Sequence, residues 1–475
     1  MAGINFLGSY SGIDQSTIDQ LMQIERLPLN QLAKQKTDIT AKQNAWKDVN
    51  TRLNSLFDKL KALQNTDTFT SMTSKSSNED IVTATSSKDA VAGTYKIEVI
   101  KLATNSRLVG SDKVADVYDD EGKFKALTLE GSFTIKNQDG KSTTIEVGKD
   151  DSLKTIVDNI NDKTKDTGIS ATIIDSKIVL TDEKSGDRNI ELSNNKGTVL
   201  DTLKLTGVEV AKGEQAEFTI NGITAYSDSN TVSDKVLGLT INLKEVGNST
   251  VTVATDTEKL TKTVQDFVDQ YNSTMSFIEE QLAVGTVTKG ANDSYTTEGR
   301  GTLAGDSSLR SLHSALRRMV TDSLGADEGI TSIKDISQLG VSTTDKTGRL
   351  SFNSSKFLEQ FSKDSQSVIN FFGDVKGVDG AEDSVGFISK LNKQIDTYIS
   401  SSDGLIKSKN ESFDRTLKDL NRRIDDFSDR IARKEEYYKK KFAALDTAMM
   451  QAESQLEWLS GQISAMNAQT AANKK

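Results

Sequence analysis

The residue types that most often carry catalysis or metal binding are scarce in this chain. Cysteine is absent, and His313 is the single histidine among 475 residues. Zinc fingers, haem ligation by His or Cys, cysteine nucleophiles and Ser-His dyads elsewhere in the chain are therefore excluded or nearly so. His313 stands beside an apolar helical stripe with no partner of defined geometry, which favours a structural or surface role. We expect a protein that is not an enzyme and has no catalytic residue, cofactor or metal.

An acidic cluster in the middle of the chain could suggest calcium binding. Its members are Asp116, Asp119, Asp120 and Glu121. Calcium prefers carboxylate oxygens, but the spacing here does not fit an EF-hand loop. The cluster is therefore predicted to form a β-turn without a bound metal.

Charge and hydropathy limit the possible partners. The net charge is −10, and Lys and Arg are spread along the chain, whereas nucleic-acid binding needs a basic surface. No run reaches the roughly 18 apolar residues of a membrane span, and the start lacks the pattern of a cleaved secretory signal peptide. Alone, these features indicate the cytoplasm. A chain without cysteine and with Pro28 as its one proline also suits export in an unfolded state, because it refolds without disulfide shuffling.

An apolar stripe in the last helix, predicted from about Phe413 to Met466, has the spacing of an interaction surface. Successive positions alternate steps of four and three, which is the pattern of a coiled-coil seam. The alternation fails once, at Lys434, Tyr438 and Phe442, where a stutter locally unwinds the supercoil. A helix of this length spans on the order of 80 Å. It therefore needs partners along its length.

A second long helix is predicted near the N-terminus. Asp14 and Ser16 offer N-caps. Pro28 is expected to mark a helix break or the N1 position of a new helix, because an interior proline costs about 3 kcal/mol. A heptad stripe follows the proline and consists of Leu32, Ile39, Trp46, Val49, Leu53, Leu56, Leu60 and Leu63. The residues expected to share one seam between the two terminal helices are Leu53, Leu56, Leu420 and Ile424.

Charge density relates the two ends of the chain. Residues 31–63 and 414–441 are densely charged, whereas residues 1–30 and the chain beyond Phe442 carry few charges. One interpretation is a solvated rod whose tips happen to be less charged. We favour an antiparallel pairing of the two ends, with a charged shaft and a tip that buries itself against other subunits. The tip residues predicted to make these contacts are Leu21, Met22, Leu445, Met449, Leu456, Leu459 and Ile463.

The tips also carry a prediction about order. Outside their apolar stripe, their faces are Ala, Gln, Ser and Asn, which add few salt bridges. A lone helix pair of this composition buries too little to offset roughly 1 to 2 kcal/mol of backbone entropy per residue. We expect residues 1–40 and 443–475 to fluctuate in the free subunit and to become ordered on docking.

Strand signals replace the helical period in the middle of the chain. Phe133 and Ile135 are predicted to face Ile145 and Val147 across a turn at Asp139-Gly140. A second hairpin is predicted around the dipeptide Asn221-Gly222. Because helices flank these segments on both sides, the simplest arrangement is a head inserted between two halves of a helical shaft.

The predicted fold class is α+β: an elongated multi-domain protein whose terminal helices form a coiled-coil leg with inserted β-rich head domains. Residues 1–40 and 443–475 are predicted to be terminal helices that make contacts outside the subunit. The leg is predicted at 41–72 and 258–442. The predicted head domains are a β-rich one at 73–118 and 212–257 and a second, α+β one at 119–211.

Several stretches resemble the hook-associated protein 2 family, the bacterial flagellar filament cap. The N-terminal stretch at 11–32 is similar to the family's opening pattern of Ser-Gly-(Leu/Ile)-Asp, an apolar helix and Glu-Arg-x-Pro. The more specific stretches are 301–320 and 339–357, with Gly305, Asp306, Gly340, Gly348, Leu350 and Lys356 in the expected places. In the middle, the resemblance rests mainly on Ile160-Asn161 and Ile220-Asn221, the short Ile-Asn motif of flagellar hook-type modules.

The resemblance implies a structural cap at the distal end of the flagellar filament that promotes folding and insertion of exported flagellin, without covalent chemistry. It implies a homo-oligomeric ring, pentameric in the family, with flagellin, the hook-filament junction protein and an export chaperone as further partners. The location implied is the extracellular tip of the flagellum. In family terms, the tip residues above contact flagellin.

Two alternatives stay open besides an enzyme. One is a host-surface adhesin whose β-rich head binds host glycans or proteins on a coiled-coil stalk; a stalk should lead to a membrane anchor or cell-wall signal, and the sequence carries none. The other is a different axial flagellar protein, such as a flagellin or a junction protein. The stretches at 301–320 and 339–357 separate it from the cap.

Overall fold

The fold comes from a computed structural model that describes residues 8, 10–290, 294–321, 331–373 and 386–472, with side chains up to 468. The chain forms two compact units. A helix-rich unit combines both ends of the chain, Met1–Asn65 and Thr261–Lys475, and a strand-rich unit is the continuous segment Thr66–Leu260. The mixed α+β class and the insertion of the β-rich part between helical halves are confirmed.

The helices alternate with strands in sequence, but the long ones lie at the two ends of the chain. The helices are α1 (Gln15–Gln64), α2 (Thr66–Phe69), α3 (Leu153–Asp162), α4 (Thr164–Thr167), α5 (Val199–Thr202), α6 (Thr257–Leu282), α7 (Ser307–Thr321), α8 (Ser354–Lys363), α9 (Ser365–Phe372), α10 (Phe387–Ile399) and α11 (Leu405–Ala472). The strands before residue 200 are β1 (Met72–Ser76), β2 (Val82–Ser86), β3 (Gly93–Lys101), β4 (Asn105–Val109), β5 (Gly131–Asn137), β6 (Ser142–Val147), β7 (Ile169–Ile174), β8 (Lys177–Ser185) and β9 (Ile190–Lys196). Those after it are β10 (Ala216–Ile220), β11 (Ile223–Ser227), β12 (Thr231–Val236), β13 (Leu239–Leu243), β14 (Gly247–Thr255), β15 (Val284–Lys289), β16 (Tyr295–Arg300), β17 (Val341–Thr343) and β18 (Leu350–Phe352).

In the helix-rich unit, α1 and α11 pair antiparallel. Gln43 Nε2 donates to Asp414 Oδ1 at 2.7 Å, and farther along the pair Arg26 Nη2 lies 3.4 Å from Glu435 Oε2. Residue numbers thus rise along one helix as they fall along the other. The predicted antiparallel pairing of the chain's two ends is confirmed.

The expected helix break at Pro28 is wrong, because α1 runs unbroken through the proline. Met22, before the proline, and Leu29, after it, both pack into one cluster with Ile431 of α11. A continuous apolar contact on both sides offsets the local cost of the proline, which removes one backbone hydrogen bond.

The expected shared seam of Leu53 and Leu56 with Leu420 and Ile424 is also wrong. On the register set by Gln43 and Asp414, Leu53 lies level with the start of α11, about 24 Å along the helix pair from Leu420 at about 1.5 Å per residue. This stretch of α1 packs instead with other helices: Gln270 of α6 donates to the Arg52 carbonyl at 3.2 Å.

The strand-rich unit contains two modules with separate cores. The first module holds a five-stranded sheet of order β1-β14-β3-β10-β11 and a three-stranded sheet of order β12-β13-β2. The inserted module holds the sheets β4-β8-β7 and β6-β5-β9 with α3 to α5. Leu108, Val114 and Val117 belong to the core of the inserted module, so the chain passes into it near residue 104 and not at the sequence-based boundary of 118.

Both predicted hairpins form in the strand-rich unit. Phe133 lies opposite Ile145 in the β5–β6 pair, and Ile220 lies opposite Ile223 in the β10–β11 pair. Asn221 and Gly222 have φ of 51° and 81°, the left-handed conformations that a two-residue type I′ turn requires. Local turn chemistry therefore fixes these registers.

The chain crosses between the two modules at a joint closed by hydrogen bonds. The outgoing and returning segments pair there, with Arg107 N donating to Ala211 O at 2.8 Å. The buried Ser106 hydroxyl accepts from Arg188 N at 3.0 Å and from Gly213 N at 2.8 Å, and it donates to Gly186 O at 3.0 Å. One side chain thus ties both crossing segments to the loop after β8.

Candidate assembly surface

The predicted contact residues on α11 lie on an uncovered stretch of that helix. Every side chain from Thr447 to Ser464 is exposed, whereas earlier stripe positions such as Leu420 and Ile431 are buried. The exposed fractions of the predicted residues are Leu445 40%, Met449 42%, Leu456 66%, Leu459 48% and Ile463 58%. The structure therefore brings these five apolar side chains onto one helix and leaves them open to a partner.

The two predicted contact residues on α1 differ from each other. Leu21 is exposed, whereas Met22 is fully buried with Ile18 and Ile431. Sequence reasoning missed two more exposed apolar residues on this helix, Ile24 and Leu27. Their spacing of three and six residues from Leu21 is the signal that could have identified them.

Asp446 marks where the covered part of α11 ends. Its carboxylate accepts hydrogen bonds from the backbone N–H groups of Gly8 and Ser11, the latter at 2.7 Å. Hydrogen bonds from the Ser11 side chain and the Gly8 backbone hold the pKa of Asp446 below its usual range. Sequence reasoning did not assign this role, although Asp446 is one of few charged residues beyond Phe442. An acidic residue in a sparsely charged segment was the available signal.

The stutter in the last helix lies where charged side chains from α1 meet it. Lys434, which occupies a stripe position, forms an ion pair with Glu25 of α1. Beside it, the rings of Tyr438 and Phe442 stack with centroids 6.0 Å apart. The Lys434 ammonium, which occupies an apolar position of the stripe, is therefore neutralised by a carboxylate of α1. The stutter lies in the part of α11 that packs on α1.

The stretch at 301–320 builds a junction between three parts of the helix-rich unit. Asp306 caps α7 by accepting from Leu309 N at 3.1 Å, and it also accepts from Trp46 Nε1 of α1 at 3.2 Å. Lys409 Nζ of α11 lies 2.9 Å from Asp306 Oδ2 and 4.8 Å from the centroid of the Trp46 ring. Burial opposes ionisation, but hydrogen bonds from Lys409 and Leu309 outweigh it and hold the pKa of Asp306 below its usual range.

The stretch at 339–357 has a structural role as well. Gly340 has φ of 76°, and a Cβ there would lie 2.5 Å from the Asn353 carbonyl oxygen, so glycine is required. Asn272 of α6 accepts from Leu350 N at 2.7 Å and donates to Leu350 O at 2.8 Å. This β17–β18 hairpin is therefore fastened to α6 by backbone hydrogen bonds.

The Ile-Asn motifs place asparagine side chains on strand backbones. Asn161 accepts from Ala171 N at 2.8 Å and donates to Ala171 O at 3.0 Å. Asn221 accepts from Lys96 N at 2.8 Å. In each case the asparagine side-chain amide hydrogen-bonds to the backbone of a strand and so takes the place of a neighbouring strand at that position.

The residues that could have carried other chemistry do not form a reactive site with their neighbours. His313 Nε2 is buried without a hydrogen-bond partner among the described residues and lies 3.6 Å from Glu279 Oε1. The Asp119 carboxylate accepts from Lys123 N at 2.8 Å in a turn. Among the residues that the structure describes, no three acidic, His or Cys side chains are grouped to hold a metal ion. Within that same part of the chain, no helix is long and apolar enough to cross a membrane.

Relatives share most of the length of this chain. The B-type flagellar hook-associated protein 2 of Pseudomonas aeruginosa is 29% identical over 462 residues, which cover 91% of this chain and 91% of that protein. The flagellar hook-associated protein 2 of Escherichia coli is 29% identical over 481 residues, which cover 97% of this chain and 98% of that protein. A crystal structure of the Escherichia coli flagellar cap protein FliD aligns with a TM-score of 0.59 at 25% identity, covering 78% of this chain and 99% of that one.

Family models match both flanks and the middle of the chain. The flagellin hook IN motif matches residues 132–184, which include Ile160-Asn161 but not Ile220-Asn221. The N-terminus of flagellar hook-associated protein 2 matches residues 11–106, and the C-terminus of the same protein matches residues 213–454, more than half of the chain. The chain therefore belongs to the flagellar hook-associated protein 2 family, the family of the flagellar filament cap.

Proposed function

We propose that this chain, as the cap at the distal end of the filament, promotes the folding and insertion of exported flagellin through its uncovered helix ends. The observation that carries this proposal is the apolar stripe of α11 beyond Asp446, which stays exposed while most positions of the same stripe before Asp446 are buried or half-buried. An exposed stripe of this size is unfavourable in water and suits contact with an incoming chain. No covalent step is needed, and we propose that the protein is not an enzyme.

The domain roles follow the same division. We propose that residues 1–40 and 443–475 contact the filament, that 41–72 and 258–442 form the leg, and that the strand-rich unit forms the plate of the cap. The contact residues proposed are Leu21, Met22, Leu445, Met449, Leu456, Leu459 and Ile463. Because Met22 is buried in this subunit, it acts by holding α1 on α11.

The assembly proposed is a homo-oligomeric ring, pentameric by family resemblance, at the extracellular tip of the flagellum. The further partners proposed are flagellin, the hook-filament junction protein and an export chaperone, which covers the exposed stripe before assembly. We also propose export without a cleaved secretory signal peptide.

Replacing the exposed stripe tests the role directly. In cells that make only the altered protein, the combined change Leu456→Ser, Leu459→Ser and Ile463→Ser should abolish filaments and release flagellin into the medium, because incoming subunits are no longer held. Filament length by electron microscopy and flagellin in the culture supernatant are the measurements. The matched control replaces Ser454, Gln455 and Gln462 of the same helix by Ala. Normal filaments with the altered stripe would contradict the proposal.

A further inference from the structure

The uncovered part of α11 carries methionine side chains that are open to solvent. Met449 is 42% exposed, Met450 is 44% exposed and Met466 is 65% exposed. Met449 and Met466 lie on the apolar stripe, and Met450 lies beside it on the same helix. Met275 of α6, by contrast, is 0% exposed within the helix-rich unit. A dissolved reagent therefore reaches the thioethers on α11 directly, and it reaches that of Met275 only when the surrounding packing opens.

The chemistry of a thioether makes exposed methionines sensitive to oxidants. The methionine sulfur takes one oxygen atom from hydrogen peroxide, the O–O bond breaks, the sulfur is oxidised to a sulfoxide and the peroxide is reduced to water. A thiolate is the usual competitor for such an oxidant, but this chain contains no cysteine. A peroxide that reaches this protein therefore meets thioethers and no thiol.

Oxidation changes the property on which the stripe depends. A sulfoxide replaces a flexible apolar side chain by a polar one, and a polar group that is buried without a hydrogen bond opposes the contact that buries it. The neighbouring stripe residues Leu456, Leu459 and Ile463 have no side-chain donor for the sulfoxide oxygen. Oxidation thus makes the stripe less suited to an apolar contact, while the backbone hydrogen bonds of the helix remain.

We propose that Met449, Met450 and Met466 are a modification site for peroxides and form an oxidation-sensitive switch on the uncovered end of α11. This inference rests on the proposed function, because the effect of oxidation is exerted through the contact between this stripe and flagellin. The free subunit is the sensitive form, since a bound partner covers the same side chains. Methionine sulfoxide reductases, which return the sulfoxide to methionine, reverse the switch.

Peptide mass spectrometry of the full chain tests the modification site. The purified protein is treated with hydrogen peroxide and digested after increasing times. Met449, Met450 and Met466 should each gain one oxygen atom on the order of ten times faster than Met275, whose sulfur is reached through local opening. Equal rates at all four methionines, or no oxidation of the three on α11, would overturn the proposal.

Filament growth tests the switch. After the peroxide is removed, the protein is added to cells that export flagellin but make no cap protein, and filaments are measured by electron microscopy. The treated original chain should lose most of its ability to support filaments. The matched variant Met449→Leu, Met450→Leu and Met466→Leu keeps nearly the same apolar volume and should be unaffected by the treatment. Incubating the treated original chain with the reductases for both sulfoxide epimers should restore filaments.

The other results overturn the proposal. Equal loss in the original chain and in the leucine variant means that damage elsewhere, such as at Trp458, carries the effect. Sulfoxides at all three residues with normal filaments mean that the stripe tolerates the change. If the leucine variant fails before treatment, the reductases decide, and a repaired original chain that still supports no filaments excludes the switch.

The serine replacement of Leu456, Leu459 and Ile463 separates this proposal from the proposed function. If the replacement abolishes filaments while the oxidised protein supports them, the switch fails and the proposed function stands. If the replacement leaves filaments normal, the proposed function itself fails.

Discussion

The two halves of α11 carry the same heptad pattern in different surroundings. Before Asp446 most stripe side chains are buried or half-buried, and beyond it every stripe side chain as far as Met466 is exposed. The covered half is rich in charge on its outer faces, whereas the uncovered half has few charged residues. The difference teaches that the pattern predicts a helix and its contact face, while the charge on the other faces indicates how much of the helix stays in water.

The two tryptophans of the chain give the largest test of this comparison. Trp46 packs in the covered shaft and is 0% exposed, whereas Trp458 lies on the uncovered half and is 65% exposed. Trp46→Ala should lower the free energy of unfolding by about 3 to 5 kcal/mol, because it opens a cavity. Trp458→Ala should change it by no more than about 0.5 kcal/mol in the free subunit. Denaturant unfolding followed by far-ultraviolet circular dichroism measures both free energies of unfolding. Similar losses for the two variants would contradict the difference in burial between the covered shaft and the uncovered half of α11.

A smaller loss is expected from Asp306→Asn at the junction with Trp46 and Lys409. The change leaves the Lys409 ammonium without its carboxylate partner, which should cost about 1 to 3 kcal/mol at neutral pH. The exposed Asp429→Asn on α11 is the matched control and should cost little. Equal effects of the two changes would mean that the junction does not stabilise the shaft.

The same carboxylate makes the shaft sensitive to acid. Because the pKa of Asp306 is lower in the folded chain than its usual value, its contribution is complete above about pH 4, the ordinary range of an Asp side chain, and is lost as the pH falls through the lowered pKa. Unfolding curves measured from pH 6 downwards should therefore converge for the original chain and for Asp306→Asn. A constant difference down to the lowest pH would contradict this assignment.

The smallest effect is expected at the boundary between the halves. Asp446→Asn weakens the acceptor for the backbone N–H groups of Gly8 and Ser11, so hydrogen exchange at Ser11 should become faster while exchange at 413–431 stays slow. Glu453→Gln, about two turns beyond the boundary, is the control and should leave exchange at Ser11 unchanged. In the free subunit, residues 447–464 should exchange fast in every variant, and strong protection there would contradict the expected ordering on docking.

What the sequence could predict here depends on the distance between partners along the chain. The hairpins at Asp139-Gly140 and Asn221-Gly222 were predictable because the turn residues and the paired strands are neighbours. The junction of Trp46, Asp306 and Lys409 was not, because these partners come from distant parts of the chain and the sequence holds no signal for their meeting. Leu53 illustrates the same limit, since its burial was predicted and its partners were not.

The module boundary was missed for a related reason. Strand β4 is short, and it joins the inserted module by pairing with β8, with Leu108 opposite Leu180. Residue patterns near 105–118 do not reveal a partner so far along the chain. The exposure of the tip residues on α11 was predictable because their helix carries an apolar stripe with too few charges for a solvated rod.

The joint at Ser106 has a mechanical consequence for a structure that stands in moving fluid. Two chain segments cross between the modules side by side, and both are fastened through the same hydroxyl. A sideways force on the inserted module must therefore break several hydrogen bonds at once, since neither segment can lengthen alone. The bending is resisted at this joint by the Ser106 hydroxyl together with the backbone pairing of Arg107 and Ala211.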